Sequence, residues 1–91
     1  MVLLSEYSSQ INIPVERLLK KDNKLALQRQ VYWYYLRNKH HYKLRDIAIL
    51  FGRKHSTIIS GIRTISNLIE TKNSTIDPYL EALHIFSFQE E

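Results

Sequence analysis

The sequence contains no cysteine, two glycines, two prolines and no apolar run long enough to span a membrane. The lack of cysteine excludes a disulfide framework and thiolate metal sites, and it is typical of a reducing compartment. Two glycines are too few for a phosphate-binding loop or a dinucleotide-binding fingerprint. The start of the chain lacks the pattern of a signal peptide. We therefore expect a cytoplasmic chain that acts without a membrane or a small-molecule substrate.

Catalytic and metal-binding patterns are also missing from the sequence. Carboxylates are few and mostly lie near the termini, so no acid/base pair is evident. His55 and Ser56 are neighbours, and neighbouring side chains on a helix do not face each other. His40 and His41 have no third ligand nearby in the sequence. We expect no enzymatic activity, no metal site and no cofactor.

Acidic residues are scarce in the middle of the chain. Twelve of the thirteen Lys and Arg residues lie between Arg17 and Arg63, where the acidic residues are Asp22 and Asp46 alone. Both flanks are net acidic, although the whole chain carries a net charge of +4. Such segregation is typical of a polyanion-binding surface. A device for solubility explains the net charge but not its segregation. An anionic membrane is disfavoured because the cations are spread over several helices.

The apolar periodicity predicts an all-α fold of five to six helices around a helix-turn-helix, in a single domain over residues 1–91. No alternating run bounded by hairpin turns predicts a strand. We expect the following order: lead-in helices 2–20, basic loop 20–24, central helix 25–39, helix-turn-helix 43–71 and closing helix 76–88. The run Tyr32–Tyr35 points in several directions on a helix, so it predicts core packing rather than a stacking platform for single-stranded nucleic acid.

Two short periodic segments meet at Gly52. The first carries apolar residues at Leu44, Ile47, Ala48 and Phe51, and the second at Ile58, Ile62, Ile65 and Ile69. Two helices joined by a turn with glycine are typical of a helix-turn-helix. Polar residues start the second helix, as a recognition helix requires, and further polar residues lie opposite its isoleucines. These are Arg53, Lys54, His55, Ser56 and Thr57 at the start, and Ser60, Arg63 and Asn67 opposite. The alternative is an αα-hairpin with a basic, solvent-exposed turn.

The same residues resemble the C-terminal DNA-binding domain of the bacterial replication initiator DnaA. That family carries an Arg-Gln-apolar helix, a Leu-x-x-Ile-x-x-x-Phe helix, a Gly-Arg-Asp-His-Thr-Thr-Val signature and a terminal Ile. Here these are Arg29-Gln30-Val31, Leu44/Ile47/Phe51, Gly52-Arg53-Lys54-His55-Ser56-Thr57-Ile58 and Ile65. The upstream stretch INIPVERLL is similar to the family's lead-in helix, so the resemblance covers roughly residues 5 to 85.

The resemblance implies a Trp-repressor-like helix-turn-helix that binds a short, asymmetric double-stranded DNA box as a monomer. It places base-edge and neighbouring phosphate contacts at Lys54, His55, Ser56 and Thr57. It places phosphate contacts at Arg37, Lys43, Leu44 and Arg45, and a minor-groove approach in the basic loop, for which we take Lys24. We expect a nucleoid-associated protein of replication initiation or its regulation, with other replication proteins as further partners.

The chain departs from the family pattern in three places. One glycine follows Phe51 where the family usually has two, which is expected to shift the recognition helix. Lys54 stands where an acidic residue usually precedes the histidine, and a lysine donates to guanine where an aspartate accepts from cytosine or adenine. The expectation is a different box, or weaker base discrimination with stronger phosphate binding. The basic loop is shorter and contains Asp22.

The family's ATPase module is absent from these residues, so ATP-regulated origin melting is not expected of this chain. The alternative function is a protein-interaction module that kept the fold without strong DNA binding. Its contact surface would be the acidic, aromatic C-terminal segment with Phe86, Phe88, Glu90 and Glu91.

Overall fold

The structure is a computed structural model that describes residues 1–85. Its helices are α1 (Leu4–Gln10), α2 (Val15–Leu19), α3 (Ala26–His40), α4 (Leu44–Phe51), α5 (His55–Glu70) and α6 (Asp77–Ala82), with short 3-10 turns at Asn23–Leu25 and Ser74–Ile76. The described residues contain no strand, which confirms the all-α prediction. None of the helices within residues 1–85 has the length and apolar character needed to cross a membrane.

Helix α3 lies at the centre of the core and is buried over most of its circumference. Val31, Tyr32, Trp33, Tyr35 and Leu36 are all buried, and Tyr34 is half-buried. The aromatic run is therefore core, as predicted, and offers no platform for stacked bases. A helix that is apolar on most sides must be surrounded by its neighbours, so α3 fixes where the other helices lie.

Tyrosine hydroxyls attach the lead-in segment to α3. The Tyr32 hydroxyl donates to the Val2 carbonyl at 2.9 Å, and the Val2 amide donates to the Tyr35 hydroxyl at 2.6 Å. In the middle of α1, the Tyr7 hydroxyl donates to the Gln28 carbonyl at 2.7 Å. Burial raises the pKa of Tyr7 well above its ordinary value, because the phenolate would be desolvated there. These hydroxyl groups therefore fix α1 along α3: those of Tyr7 and Tyr32 donate, and that of Tyr35 accepts.

Helix α5 packs against α3 through an unusually close contact at Gly61. A Cβ atom built on Gly61 would lie 2.7 Å from Cε3 and Cζ3 of Trp33 and 2.8 Å from Cγ of Gln30. Phe51 of α4 meets the same indole edge-on, with ring centroids 5.7 Å apart. Trp33 is thus enclosed by both helices of the helix-turn-helix, and the lack of a side chain at residue 61 lets α5 approach it.

The helix boundaries differ from the predicted ones mainly at the C-terminal end. The predicted closing helix 76–88 is wrong over residues 83–85, because α6 ends at Ala82. There the amide of Ile85 donates back to the Leu80 carbonyl at 2.9 Å, and His84 has a left-handed φ of 61° that ends the helix. Residues 86–88 of the predicted helix lie outside the described residues. Elsewhere the differences are small: α1 begins at Leu4 rather than at residue 2.

Several helices end on a residue with left-handed backbone. Within residues 1–85, these residues are Asn12, His41, Gly52, Lys72 and His84, with φ between 55° and 62°. A left-handed residue after a helix commonly satisfies its last carbonyl groups, and glycine is the residue that does so without steric cost. Only the end of α4, inside the helix-turn-helix, uses glycine.

Candidate nucleic-acid interface

The turn between α4 and α5 is closed by one glycine. Gly52 has φ 62° and ψ 41°, and the Arg53 amide donates to the Ala48 carbonyl at 2.9 Å, the bond that typically closes a helix on a left-handed glycine. Arg53 itself is not left-handed. The turn therefore needs glycine at a single position, which accounts physically for an arginine directly after Gly52.

Helix α5 begins with an end that no side chain caps. Its N-cap residue is Lys54, with extended backbone at φ −80° and ψ 156°, and the lysine side chain has no acceptor to offer. The first N–H groups of a helix lack partners within the helix, and the dipole makes this end positive. Lys54 adds a full positive charge at the same place, so the start of α5 favours an anion.

The exposed side of α5 is mostly polar, although Ile59 is exposed at 37%, and its opposite side is buried. Ile58 and Ile65 have no solvent exposure, whereas Ser56, Ser60, Arg63 and Asn67 are exposed. Two of the other large apolar residues in this region, Ile49 and Leu50 of α4, are exposed at 68% and 50%. The predicted division of α5 into an isoleucine side and a polar side is thus present in the structure.

Ten of the twelve predicted contact residues are exposed. They are Lys24, Arg37, Lys43, Arg45, Lys54, His55, Ser56, Thr57, Ser60 and Arg63. The other two, Leu44 and Arg53, are half-buried. The structure brings the members on α5 together along one helix, and Lys24 lies apart from them, in the 3-10 turn that ends the basic loop.

Arg53 turns its guanidinium toward the protein. Nη1 donates to the Phe51 carbonyl at 2.6 Å, and Nη2 donates to the Lys20 carbonyl at 3.0 Å. Arg37 also donates to a carbonyl, that of Tyr42 at 2.9 Å, but its side chain is exposed at the end of α3. Arg53 therefore joins the helix-turn-helix to the basic loop, which no feature of the sequence indicates.

The basic loop is fixed by Asp22 and Arg29. The Asp22 carboxylate accepts from the Lys24 amide at 3.0 Å and from Arg17 at 3.3 Å. The Lys24 amide, and then Arg17, hold the pKa of Asp22 below its ordinary value. The guanidinium of Arg29 donates to the carbonyls of Lys20 and Asp22, both at 2.9 Å. The single acidic residue of the loop therefore shapes the backbone.

A cleft of about 670 Å³ separates this loop from the start of α5. Among the residues that line it are Lys21, Gln30 and Lys54. Lys24 is the loop residue predicted from the sequence, whereas Lys21 and Gln30 are not among the predicted contact residues. Lys21 and Lys24 are both lysines of the same loop, so the sequence does not distinguish them. The path of the loop backbone does, because it places Lys21 at the cleft.

The comparison with protein families identifies the fold at this point. Residues 4–65 match the family model described as the bacterial dnaA protein helix-turn-helix. The chain belongs to this family. The matched range includes the lead-in helices, the basic loop, α3, α4 and most of α5, so the bacterial DnaA helix-turn-helix covers every element that forms the interface described above.

Two curated relatives carry the same family name. The chain is 30% identical over 78 residues to the chromosomal replication initiator protein DnaA of Mycoplasma pneumoniae, and 27% identical over 78 residues to that of Mycoplasma genitalium. Each match covers 84% of this chain and 18% of the relative. The chain therefore spans less than a fifth of the length of these DnaA proteins. No solved structure matches it.

The uncapped start of α5 leads to a first prediction. Lys54→Asp is expected to raise the free energy of unfolding by about 1 kcal/mol. The aspartate side chain accepts from the free N–H groups, and its negative charge is attracted to the positive end of the helix dipole. Urea titration followed by circular dichroism measures the change. Lys54→Ala is the matched control: it removes the charge without supplying a cap and is expected to change stability by less than about 0.5 kcal/mol. Equal stabilities for the two variants would contradict the N-cap position.

Proposed function

We propose that the chain binds double-stranded DNA sequence-specifically through α4 and α5, in the initiation of chromosome replication or in its regulation. The observation that carries this proposal is the exposed polar side of α5, which begins at Lys54 and continues through Ser56, Ser60 and Arg63. A recognition helix presents its first residues to base edges in the major groove, where side chains that donate and accept hydrogen bonds are required.

The relatives support the biological context. Both are named chromosomal replication initiator proteins, and this chain shares with them the segment that contains the helix-turn-helix. The proposed role is binding rather than catalysis. A protein that binds the bacterial chromosome works in the cytoplasm, at the nucleoid.

The alternative is a protein-interaction module that kept the fold. A polar exposed side is typical of any amphipathic surface helix, but the uncapped, positively charged start of α5 at Lys54 favours a polyanion such as DNA. The acidic aromatic segment that this alternative would use, with Phe86, Phe88, Glu90 and Glu91, lies outside the described residues. DNA binding is therefore the better-supported function.

Fluorescence anisotropy with labelled duplexes across a salt series tests the proposal. We expect tighter binding to duplexes with DnaA-box sequences, or to a site chosen by selection, than to random duplexes. We also expect an affinity that falls steeply between about 50 and 200 mM salt, because phosphate contacts release counterions. No binding of any duplex at low salt would overturn the function. Equal binding of all duplexes would overturn its sequence specificity.

Arg37 provides a second prediction. Arg37→Gln is expected to weaken binding to all duplexes alike and to reduce the slope of log K against log salt by about 1, because it removes one phosphate contact and no base contact. Parallel salt titrations of a selected site and a random duplex measure both quantities. Lys72→Gln is the control, since Lys72 lies beyond the far end of α5. A loss confined to the selected site would instead assign Arg37 to base recognition.

A further inference from the structure

Cationic residues surround the cleft between the basic loop and the start of α5. Lys21, Arg29, Arg53 and Lys54 line it, and no acidic side chain is among the lining residues that the structure describes. The loop supplies Lys21, the core helix α3 supplies Arg29, and the turn of the helix-turn-helix supplies Arg53 and Lys54. Three separate elements thus bring positive charge to one concave surface.

Two of these cations share a single acceptor. The Lys20 carbonyl accepts from Nη1 of Arg29 at 2.9 Å and from Nη2 of Arg53 at 3.0 Å. Each guanidinium also holds a second carbonyl, Asp22 for Arg29 and Phe51 for Arg53. The loop is therefore attached from one side to α3 and from the other to the turn before α5.

This arrangement brings two positive charges, those of Arg29 and Arg53, together beside the buried helix α3. Arg29 is only 5% exposed, and its burial, followed by the charge of Arg53, lowers its pKa, although an arginine remains charged in a protein. The nearest carboxylate, Asp22, is engaged by Arg17 and by the Lys24 amide. Within the described residues, the Nε atom of Arg29 and the indole N–H of Trp33 are buried donors without an acceptor. The cleft is rich in donors and positive charge and lacks an internal counterion.

We propose that Arg29 and Arg53 are positioning residues that lock the basic loop against the helix-turn-helix, so that Lys21 and Lys54 bind one backbone phosphate of duplex DNA together in the cleft. This inference rests on the DNA-binding function proposed above. A phosphodiester supplies hydrogen-bond acceptors and a negative charge, and lysine binds phosphate as a point charge. The phosphate would lie between the groove that α5 enters and the groove that the loop approaches.

The two arginines and the two lysines of the cleft differ in how many of their hydrogen-bond donors are already used within the protein. Both guanidiniums already bond to two backbone carbonyls each, and Arg29 is buried. Lys21 and Lys54 are exposed and line the cleft. The arginines thus fix the distance between the walls, and the lysines provide the contacts.

Salt titrations of Lys21→Gln, Lys54→Gln and the double variant test the shared phosphate. The probe is a labelled duplex that the wild-type chain binds. Each single variant is expected to lower the affinity but to change the slope of log K against log salt by well under about 1, because the remaining lysine still neutralises the shared phosphate, whereas the double variant is expected to lower the slope by about 1. A fall of about 1 in each single variant and of about 2 in the double variant would mean separate phosphates and would overturn the inference, as would an unchanged slope in the double variant. Failure of the wild-type chain to bind any duplex overturns the proposed function and this inference with it.

Arg53→Lys tests the positioning role. Arg53 is chosen because it is half-buried, whereas replacement of the buried Arg29 would disturb the core. Lysine keeps the charge but replaces the two nitrogens that donate separately to the Phe51 and Lys20 carbonyls with a single one. We expect affinity about fivefold lower, an unchanged circular dichroism spectrum, and no additional effect of Lys21→Gln in the Arg53→Lys background. If Lys21→Gln still lowers the affinity in that background, Arg53 does not position the loop. Lys72→Gln, remote from the cleft, is expected to leave the slope unchanged.

Discussion

Trp33→Ala is expected to lower the free energy of unfolding by about 3–5 kcal/mol, which is a large part of the stability of a small domain. Trp33 is 2% exposed and lies between Gly61 of α5 and Phe51 of α4. Its removal leaves a cavity where the helix-turn-helix meets α3. Since its indole N–H has no acceptor among the described residues, the loss is one of packing rather than of a hydrogen bond.

Gly61→Ala tests the same contact from the other helix. Alanine favours a helix by about 1 kcal/mol over glycine, but its Cβ would overlap the Trp33 ring, and overpacking costs about 1–3 kcal/mol. We expect a net loss for Gly61→Ala in the wild-type background. In the Trp33→Ala background the clash with the indole is gone and only Cγ of Gln30 stays close, so the loss caused by Gly61→Ala is expected to be much smaller.

Urea titrations of both single variants and the double variant measure this coupling. Circular dichroism is the required signal, because Trp33 is the only tryptophan and its fluorescence is lost in the variant. Ser60→Ala, one residue along α5 and exposed, is the control and is expected to change stability by less than about 0.5 kcal/mol. Additive effects of Trp33→Ala and Gly61→Ala would contradict the close approach of α5 to α3.

His55→Ala is expected to reduce discrimination between a selected DNA site and random duplexes by about 1–3 kcal/mol, because an imidazole in the first turn of α5 can hydrogen-bond to a base edge. His55 is exposed, and no hydrogen bond of its side chain supports the fold within the described residues. Stability is therefore expected to stay within about 0.5 kcal/mol of the wild type.

Competition binding at one fixed salt concentration measures this discrimination as a ratio of affinities. The matched control is His84→Gly, which removes another exposed histidine, from the end of α6, and is expected to leave the ratio unchanged. An equal loss of affinity for all duplexes in His55→Ala would make His55 a phosphate contact instead of a base contact.

The periodic residues of the sequence predicted the helix-turn-helix and its sides well. Ile58 and Ile65 repeat with helical spacing and are buried, whereas Ser60 and Arg63 fall between them and are exposed. Apolar spacing determines which side of a helix is buried, so this part of the fold follows from the sequence directly. The resemblance to the DnaA family predicted the same helix-turn-helix, and the family match over residues 4–65 confirms this resemblance.

The role of Arg53 and the end of α6 did not follow from the sequence. Arg53 bonds to backbone carbonyls, one of them 33 residues away at Lys20. Every residue type carries a backbone carbonyl, so the sequence does not show which residue accepts this bond. Helix α6 ends at a left-handed His84, where a glycine would have been the recognisable signal. The close approach at Gly61 was also missed, because a lone glycine within a helical pattern does not reveal which side chain fills the space above it.

The residues with left-handed backbone at the helix ends affect the thermal stability of the protein. His41, Lys72 and His84 each carry a side chain in a conformation that costs about 1–2 kcal/mol, and glycine would return part of that cost. In a domain of this size each kilocalorie per mole gained raises the melting temperature by about 4–8 °C. Three single-residue exchanges, none of them on α5, would therefore give a more thermostable protein with its recognition helix unaltered.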